Sequence, residues 1–295
     1  MHNFHKYLDD FSNKITNKII SLPELNSCNV LKLVDAIKYI IKVGGKRLRP
    51  LLVVEISKIL NVSQESAYRV GMAIELIHCY SLVHDDLPAM DDDEIRRGSP
   101  TCHVKFDEAT AILVGDALQS LAFQVLSDVK THSDSEIRCK LINELSKSSG
   151  VSGMVGGQML DLIASEKKFD INEIRELQRL KTGELFHFSC IAPCILAEEN
   201  EVIFKIFKKF SLNLGIAFQI QDDLLDIEGQ EDIVGKKINK DSYQGKQTYV
   251  SELGVEDAKK KAKSLIDDCI KLIDCFKTKN ENLIKITNLI IKRNF

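Results

Sequence analysis

The sequence predicts an all-α protein, one large bundle of ten or so helices. Apolar residues recur mostly at three- and four-residue steps, the period of a helix with one buried face. Only 5 prolines and 15 glycines punctuate 295 residues. Few segments alternate apolar and polar residues in the way a half-buried strand requires. No Pro/Ser-rich linker, low-complexity tract or fixed-period repeat divides the chain, so residues 1–295 read as a single domain.

Phe4, Leu8, Phe11, Ile15 and Ile19 set the helical rhythm of the first element. A second helix is expected from about Val30 to Val43, where Gly44-Gly45 breaks it. Pro50 then sits in the first turn of a helix reaching about Leu60, a position where proline's missing N–H costs nothing. Ser63, Glu65 and Ser66 open a long helix that runs through Val83 into an acidic motif. Further helices are expected over Lys105 to Val129, Ser135 to Ala164, Ile171 to Leu196, Val202 to Ile227 and Val255 to Cys275, with a last one ending near Arg293.

Composition narrows the functional classes. A net charge of −3, with 44% hydrophobic and 28% charged residues, gives no global basic field and no electrostatic case for nucleic acid. The eight cysteines show neither a CxxC pair nor zinc spacing, a usage that fits a reducing compartment. The N-terminal MHNFHKYLDDFSNKIT lacks the charged-then-apolar order of a signal peptide. No apolar run approaches the roughly 20 residues that span a bilayer, so a cytoplasmic location is expected.

Three stretches carry the chemistry. Gly44-Gly45-Lys46-Arg47-Leu48-Arg49-Pro50 joins a tight backbone turn to basic side chains and a helix N-terminus, which together suit a phosphate; the Walker A spacing is absent. His84–Arg97, HDDLPAMDDDEIRR, ends the apolar run Gly71 to Val83 with a cluster of carboxylates and two arginines. Such charge at the end of a core helix destabilises unless a cation binds, and oxygen-only ligands suit Mg²⁺. Asp85 and Asp91 are off register on a straight helix, but a break at Pro88 would turn them towards one another. In Gln219–Asp226, QIQDDLLD, Asp222 and Asp226 share a helix face, where a common cation would remove their repulsion. Two DDxxD-like motifs, each ending an apolar helix, suit a metal clamp on a polyanion such as a diphosphate leaving group. A dry apolar interior would then shield a carbocation from water.

With these motifs the chain resembles the all-trans short-chain isoprenyl diphosphate synthases, and within them the bacterial-type farnesyl enzymes. GGKRLRP, ELIHCYSLVHDDLPAMDDDEIRRGSPTCHVKF, GDAL, SGMVGGQMLDL, KTGEL, GIAFQIQDDLLD and GK follow in the family's order from about residue 40 to 250. The resemblance implies the isoprenoid-synthase bundle around a central cavity and Mg²⁺ as cofactor, three ions per active site with Mn²⁺ as a substitute. It also implies small diphosphate substrates and a homodimer. Asp85, Asp91 and Asp222 would bind the metal, with Asp86, Asp92 and Asp226 as neighbouring or water-mediated ligands. Arg96, Lys181, Lys236 and Lys246 would hold the allylic diphosphate; Lys46, Arg49, His78 and Arg97 would hold isopentenyl diphosphate. Thr182 and Gln219 would line the place where the allylic cation forms, making them and Lys181 the catalytic set. The released pyrophosphate would take the proton. Gln230 stands where the family often has an acidic residue; Glu231 and Asp232 follow, and little effect is expected.

Helical spacing independently puts His78 on the stripe of Asp85. Tyr80 lies five residues before Asp85, about 7.5 Å along the axis. With Ser81 and the Pro88-Ala89 insertion it matches the family's fifteen-carbon pattern, in which a bulky aromatic stops the growing chain; the plain alternative is a core aromatic. Geranylgeranyl diphosphate synthase is the near alternative, opposed by Tyr80. A non-catalytic partner subunit would show an eroded acidic motif, and neither is eroded. A class I terpene cyclase would lack GGKRLRP. Gly153, Gly156 and Gly157 read as helix-packing glycines, and Gln158 and Asp161 weigh evenly between supporting the metals and not. Phe186 and His187 read as pocket wall or interface, and His84 and His103 as structural. The family places the C-terminal end at the active-site entrance, where Lys292 and Arg293 would help to close it.

Overall fold

The computed structural model describes residues 2–228 and 249–291. In chain order the helices are α1 (His2–Ile20), α2 (Pro23–Asn26), α3 (Leu31–Val43), α4 (Leu48–Ile59), α5 (Gln64–Asp85), α6 (Cys102–Lys105), α7 (Glu108–Ser127), α8 (Ser135–Ser149), α9 (Met154–Glu166), α10 (Ile171–Gln178), α11 (Glu184–Leu196) and α12 (Glu201–Glu228). Beyond the gap come α13 (Tyr249–Leu253), α14 (Val255–Ile273) and α15 (Glu281–Ile291). Among the described residues the extended structure is one antiparallel hairpin, β1 (Ile95–Arg96) with β2 (Ser99–Pro100). The described residues pack as two compact units: the stretches up to Val54 and Gln64–Arg138 form the first, and Glu55–Ser63 with the residues from Cys139 onward form the second.

In the first unit α5 is buried on every face, from Ser66 to Val83, as expected of a helix that is apolar all round. It packs along α7, whose Val114, Gly115, Leu118 and Ala122 are buried. Pro50 of α4 lies against Gly71, and Phe11 of α1 stacks on Tyr68 with ring centroids 5.9 Å apart. By length and composition α7 could cross a membrane; half of it is buried inside the protein, as in the core helix of a globular unit. It starts at Glu108, capped by Asp107, whose side chain accepts from Thr110 N–H, and the expected start near Lys105 belongs to the separate short α6.

In the second unit α12 packs against α11 and α14 over Phe186, Phe188, Phe207 and Phe210. The run expected from Ser135 to Ala164 is two helices. Backbone carbonyls of Lys147 and Ser148 fill the space a Cβ at Gly153 would need, so the chain closes there and restarts at Met154. The run expected from Ile171 to Leu196 is interrupted by one π-helical turn, Arg179–Gly183. Such turns are frequent at functional sites.

Candidate active site

The first acidic motif folds back on itself. Helix α5 ends at Asp85, and Leu87, Met90 and Asp92 follow as a compact turn in which Asp92 takes φ 49°. The N–H of Asp91 donates to the carbonyl of Asp85 at 2.8 Å, and that of Asp92 to Leu87 at 3.2 Å. These bonds satisfy carbonyls that the helix end would otherwise leave open. They also bring the backbones of Asp85 and Asp91 together. Asp86 is engaged by an arginine. It is 3% exposed and accepts from Arg96 Nε at 2.7 Å, while Asp93 lies 3.5 Å from the same guanidinium. Burial pushes the Asp86 carboxyl up from its ordinary value, against the lowering pull of Arg96.

The hairpin that follows turns at Arg97 (φ 52°) and Gly98 (φ 72°), the two positive values a tight two-residue hairpin turn demands. From this tip Arg97 Nη1 donates to the Gly44 carbonyl. Gly45 takes φ 133°, a backbone conformation that side chains rarely adopt, and a Cβ there would also meet the Arg97 guanidinium as docked. The two basic motifs thus meet at a glycine. Burial first, and then the positive charges of Arg49, Arg97, Arg47 and Arg96, hold the His78 imidazole well below its ordinary value. His78, Arg49 and Arg97 are therefore gathered in one unit, and Lys46 is exposed at the edge of the same loop.

Arg47 is different. Its Nη1 pairs with Glu75 at 2.5 Å, both side chains being almost wholly buried, and Nη2 donates to the Ile41 carbonyl and to Thr16. It ties α3, α1 and α5 together and offers nothing to a ligand. Tyr80 is buried at 6% exposure, and the Ser81 hydroxyl donates to the His78 carbonyl at 2.9 Å.

In the second unit the π turn carries Lys181 and Thr182. It is seated against α9 by Gly157, where a Cβ would fall on the backbone nitrogen of Lys181, and against α12 by Gly215, 3.3 Å from Gly183 Cα if given a Cβ. Lys181 Nζ pairs with Asp161 at 2.8 Å, which gives the polar residue on α9 a defined role. Thr182 Oγ1 donates to Gln219 Oε1 at 3.1 Å, Gln219 Nε2 donates to Asp223 Oδ1 at 2.9 Å, and Tyr249 N–H donates to Asp223 Oδ2 at 3.0 Å. Asp223, absent from the residues singled out in the sequence, is the buried centre of this ladder. Its i, i+4 spacing to Gln219 was the available signal. Asp226 is 5% exposed and Asp222 half-buried on the same helix. Gln158 Nε2 is buried without a hydrogen-bond partner.

Lys236, Lys246, Gln230, Glu231, Asp232, Lys292 and Arg293 lie outside the described residues. Among the described residues no three of His, Cys, Asp and Glu are gathered as a ready-made metal cage. The donors that each unit does offer, Asp85 with Asp91 and Asp222 with Asp226, are carboxylate oxygens alone, a set that fits a hard divalent cation carrying much of its own water.

Residues 31–287 match the polyprenyl synthetase family model. The chain is 40% identical to the farnesyl diphosphate synthase of Bacillus subtilis (strain 168) over 289 residues, 97% of each protein. Its fold is similar to the crystal structure of an FPP/GFPP synthase from Zymomonas mobilis, with a TM-score of 0.87 and 41% identity, covering 98% of this chain and 99% of that one. It is also similar to a geranyltransferase from Helicobacter pylori complexed with magnesium and isoprenyl diphosphate, with a TM-score of 0.81 and 31% identity over 96% and 97% of the two chains. With the family model matched over residues 31–287 and a relative 40% identical over 97% of each protein, the chain belongs to the polyprenyl synthetase family.

Proposed function

We propose that the protein condenses isopentenyl diphosphate with dimethylallyl and then geranyl diphosphate to give (2E,6E)-farnesyl diphosphate. The observation that carries this reading is the docking of Arg97 on the Gly44-Gly45 loop, which brings the two basic motifs together in the same unit as the Asp85–Asp91 turn. A diphosphate is the ligand class that such a cluster takes: Arg49 and Arg97 supply fixed charge, Lys46 a mobile one, and His78 a hydrogen bond without adding to the crowding of positive charge.

Asp85, Asp91 and Asp222 would hold divalent metal, Mg²⁺ by preference, with Asp86, Asp92 and Asp226 around them. When bound, such ions neutralise an allylic diphosphate and make it a better leaving group. Arg96, kept in place by Asp86, and Lys181, kept in place by Asp161, would hold the allylic diphosphate together with Lys236 and Lys246. Thr182 and Gln219, mutually hydrogen-bonded, present oxygens to the positive charge that develops on the allylic carbon. The isopentenyl double bond attacks that carbon, and the departing pyrophosphate takes the proton, so no side chain is needed as base. Tyr80 stops growth at fifteen carbons, which favours the farnesyl product over the geranylgeranyl one. The protein acts as a cytoplasmic homodimer; exposed Ile112 and Leu113 on α7, and exposed Val155, Met159 and Ile163 on α9, are apolar surface that self-association would cover.

Incubation with isopentenyl and dimethylallyl diphosphates, with and without Mg²⁺, tests the proposal. Metal-dependent release of pyrophosphate with a prenyl product is expected. No turnover with metal and both substrates present sinks it.

A further inference from the structure

His84, read from the sequence as structural, has a geometry that reaches Tyr80. It lies one helical turn beyond Tyr80 on α5, and the two rings meet edge to face, with centroids 5.7 Å apart and planes at 81°. Its Nε2 lies 3.0 Å from the carbonyl of Ile112 on α7, to which it donates. The imidazole fits there only because residue 115 is glycine: a Cβ at that position would fall on the ring, against Nε2, Cδ2 and Cε1. Gly115 is buried in a helix interior and has no left-handed backbone to explain it, so glycine is there for the space it leaves. One turn further along α7, Gln119 is the polar side chain that faces the buried Tyr80 hydroxyl, which makes no well-formed hydrogen bond. Helix α7 thus supplies a slot, an acceptor and a polar neighbour, and all three bear on Tyr80 through or beside His84.

We propose that His84 and Gly115 are positioning residues for product length: the glycine slot fixes the imidazole, and the imidazole fixes the tyrosine ring that stops the growing chain. The inference rests on the proposed role of Tyr80 and deepens it. It also gives a task to Gly115 of the GDAL motif, Gly115–Leu118. Neither residue is among those assigned to hold a diphosphate, so loosening them changes where growth stops and leaves isopentenyl diphosphate affinity near the native value.

The experiment compares His84→Ala, Gly115→Ala, Tyr80→Ala and the pairs His84→Ala/Gly115→Ala and Tyr80→Ala/His84→Ala, each as the full chain with Mg²⁺, isopentenyl diphosphate and geranyl diphosphate. The ratio of fifteen- to twenty-carbon product and the melting temperature are read. His84→Ala and Gly115→Ala are expected to raise the twenty-carbon share several-fold, and adding His84→Ala to Tyr80→Ala is expected to lengthen the product no further. Gly115→Ala is expected to lower the melting temperature alone and to raise it in the His84→Ala background, where the slot is empty and alanine is the better helix former. That sign reversal reports the slot even where the single variant folds poorly. If Tyr80→Ala lengthens the product and His84→Ala does not, this inference falls and the role of Tyr80 stands. If neither lengthens it, both fall together.

Discussion

The backbone N–H of Asp91 donates to the carbonyl of Asp85 at 2.8 Å, so the two outer aspartates of the first acidic motif are joined by the bond that closes helix α5. The turn between them, which contains the Pro88-Ala89 insertion, is what lets residues six apart share one end of a helix. The backbone that carries both carboxylates is therefore fixed at the helix terminus. Asp85→Asn, which keeps shape and backbone bond, is expected to lower kcat by about 100-fold with the melting temperature unchanged. EDTA is expected to abolish turnover in the native protein and added Mg²⁺ to restore it. A variant with native kcat would remove Asp85 from the metal set.

Arg47 and Arg49 sit two apart in one motif and differ in kind. Arg47 is in a buried ion pair with Glu75 at 2.5 Å. Removing one member leaves an unpaired buried charge, so Arg47→Met is expected to cost about 3–5 kcal/mol in urea denaturation. Arg47→Met with Glu75→Leu should recover most of that loss. Arg49→Ala is expected to raise KM for isopentenyl diphosphate by about 10-fold or more, with little change in stability. Equal stability losses at the two positions would contradict the assignment.

His78 makes stability depend on pH. Its folded value lies well below the ordinary 6.5, first through burial and then through Arg49, Arg97, Arg47 and Arg96. Below 6.5 the unfolded chain binds a proton that the folded protein refuses, so stability is full above that value and is lost as pH falls through the window beneath it. His78→Gln is expected to flatten the stability profile between pH 6.5 and acid, as followed by urea midpoints. An unchanged slope would assign the loss to other groups.

The ladder Thr182–Gln219–Asp223–Tyr249 N–H predicts that Asp223 acts through Gln219. Asp223→Ala leaves Gln219 Nε2 and the Tyr249 N–H without their acceptor and is expected to cost about 1–3 kcal/mol in stability. It should also lower kcat more than it raises either KM, because the oxygens aimed at the developing cation lose their orientation. A variant impaired only in KM would place Asp223 with the binding residues instead.

Much of this was legible in the sequence for physical reasons. GMAIELIHCYSLV is apolar on every side and must be buried, so α5 and the acids at its end stood out. Pro88 marked the break that brings Asp91 back. Other features depend on partners far along the chain. Nothing in GGKRLRP distinguishes Arg47 from Arg49 until Glu75 is brought to one and not the other. Asp222 and Asp223 are adjacent and chemically identical, and only the arrival of Tyr249 separates the buried one. The split between α8 and α9 was hidden because the apolar period continues on both sides of Gly150–Gly153, and the need for glycine there comes from carbonyls one turn earlier. His84 was read as structural, and its dependence on Gly115 crosses two helices.

The most direct test of the account is the product profile of the native protein with isopentenyl diphosphate, dimethylallyl diphosphate and Mg²⁺, separated by chain length. The account predicts farnesyl diphosphate, fifteen carbons, as the main product, with none formed when the metal is chelated. No prenyl product under these conditions would contradict the proposed chemistry, and a main product of twenty carbons would contradict Tyr80 as the stop.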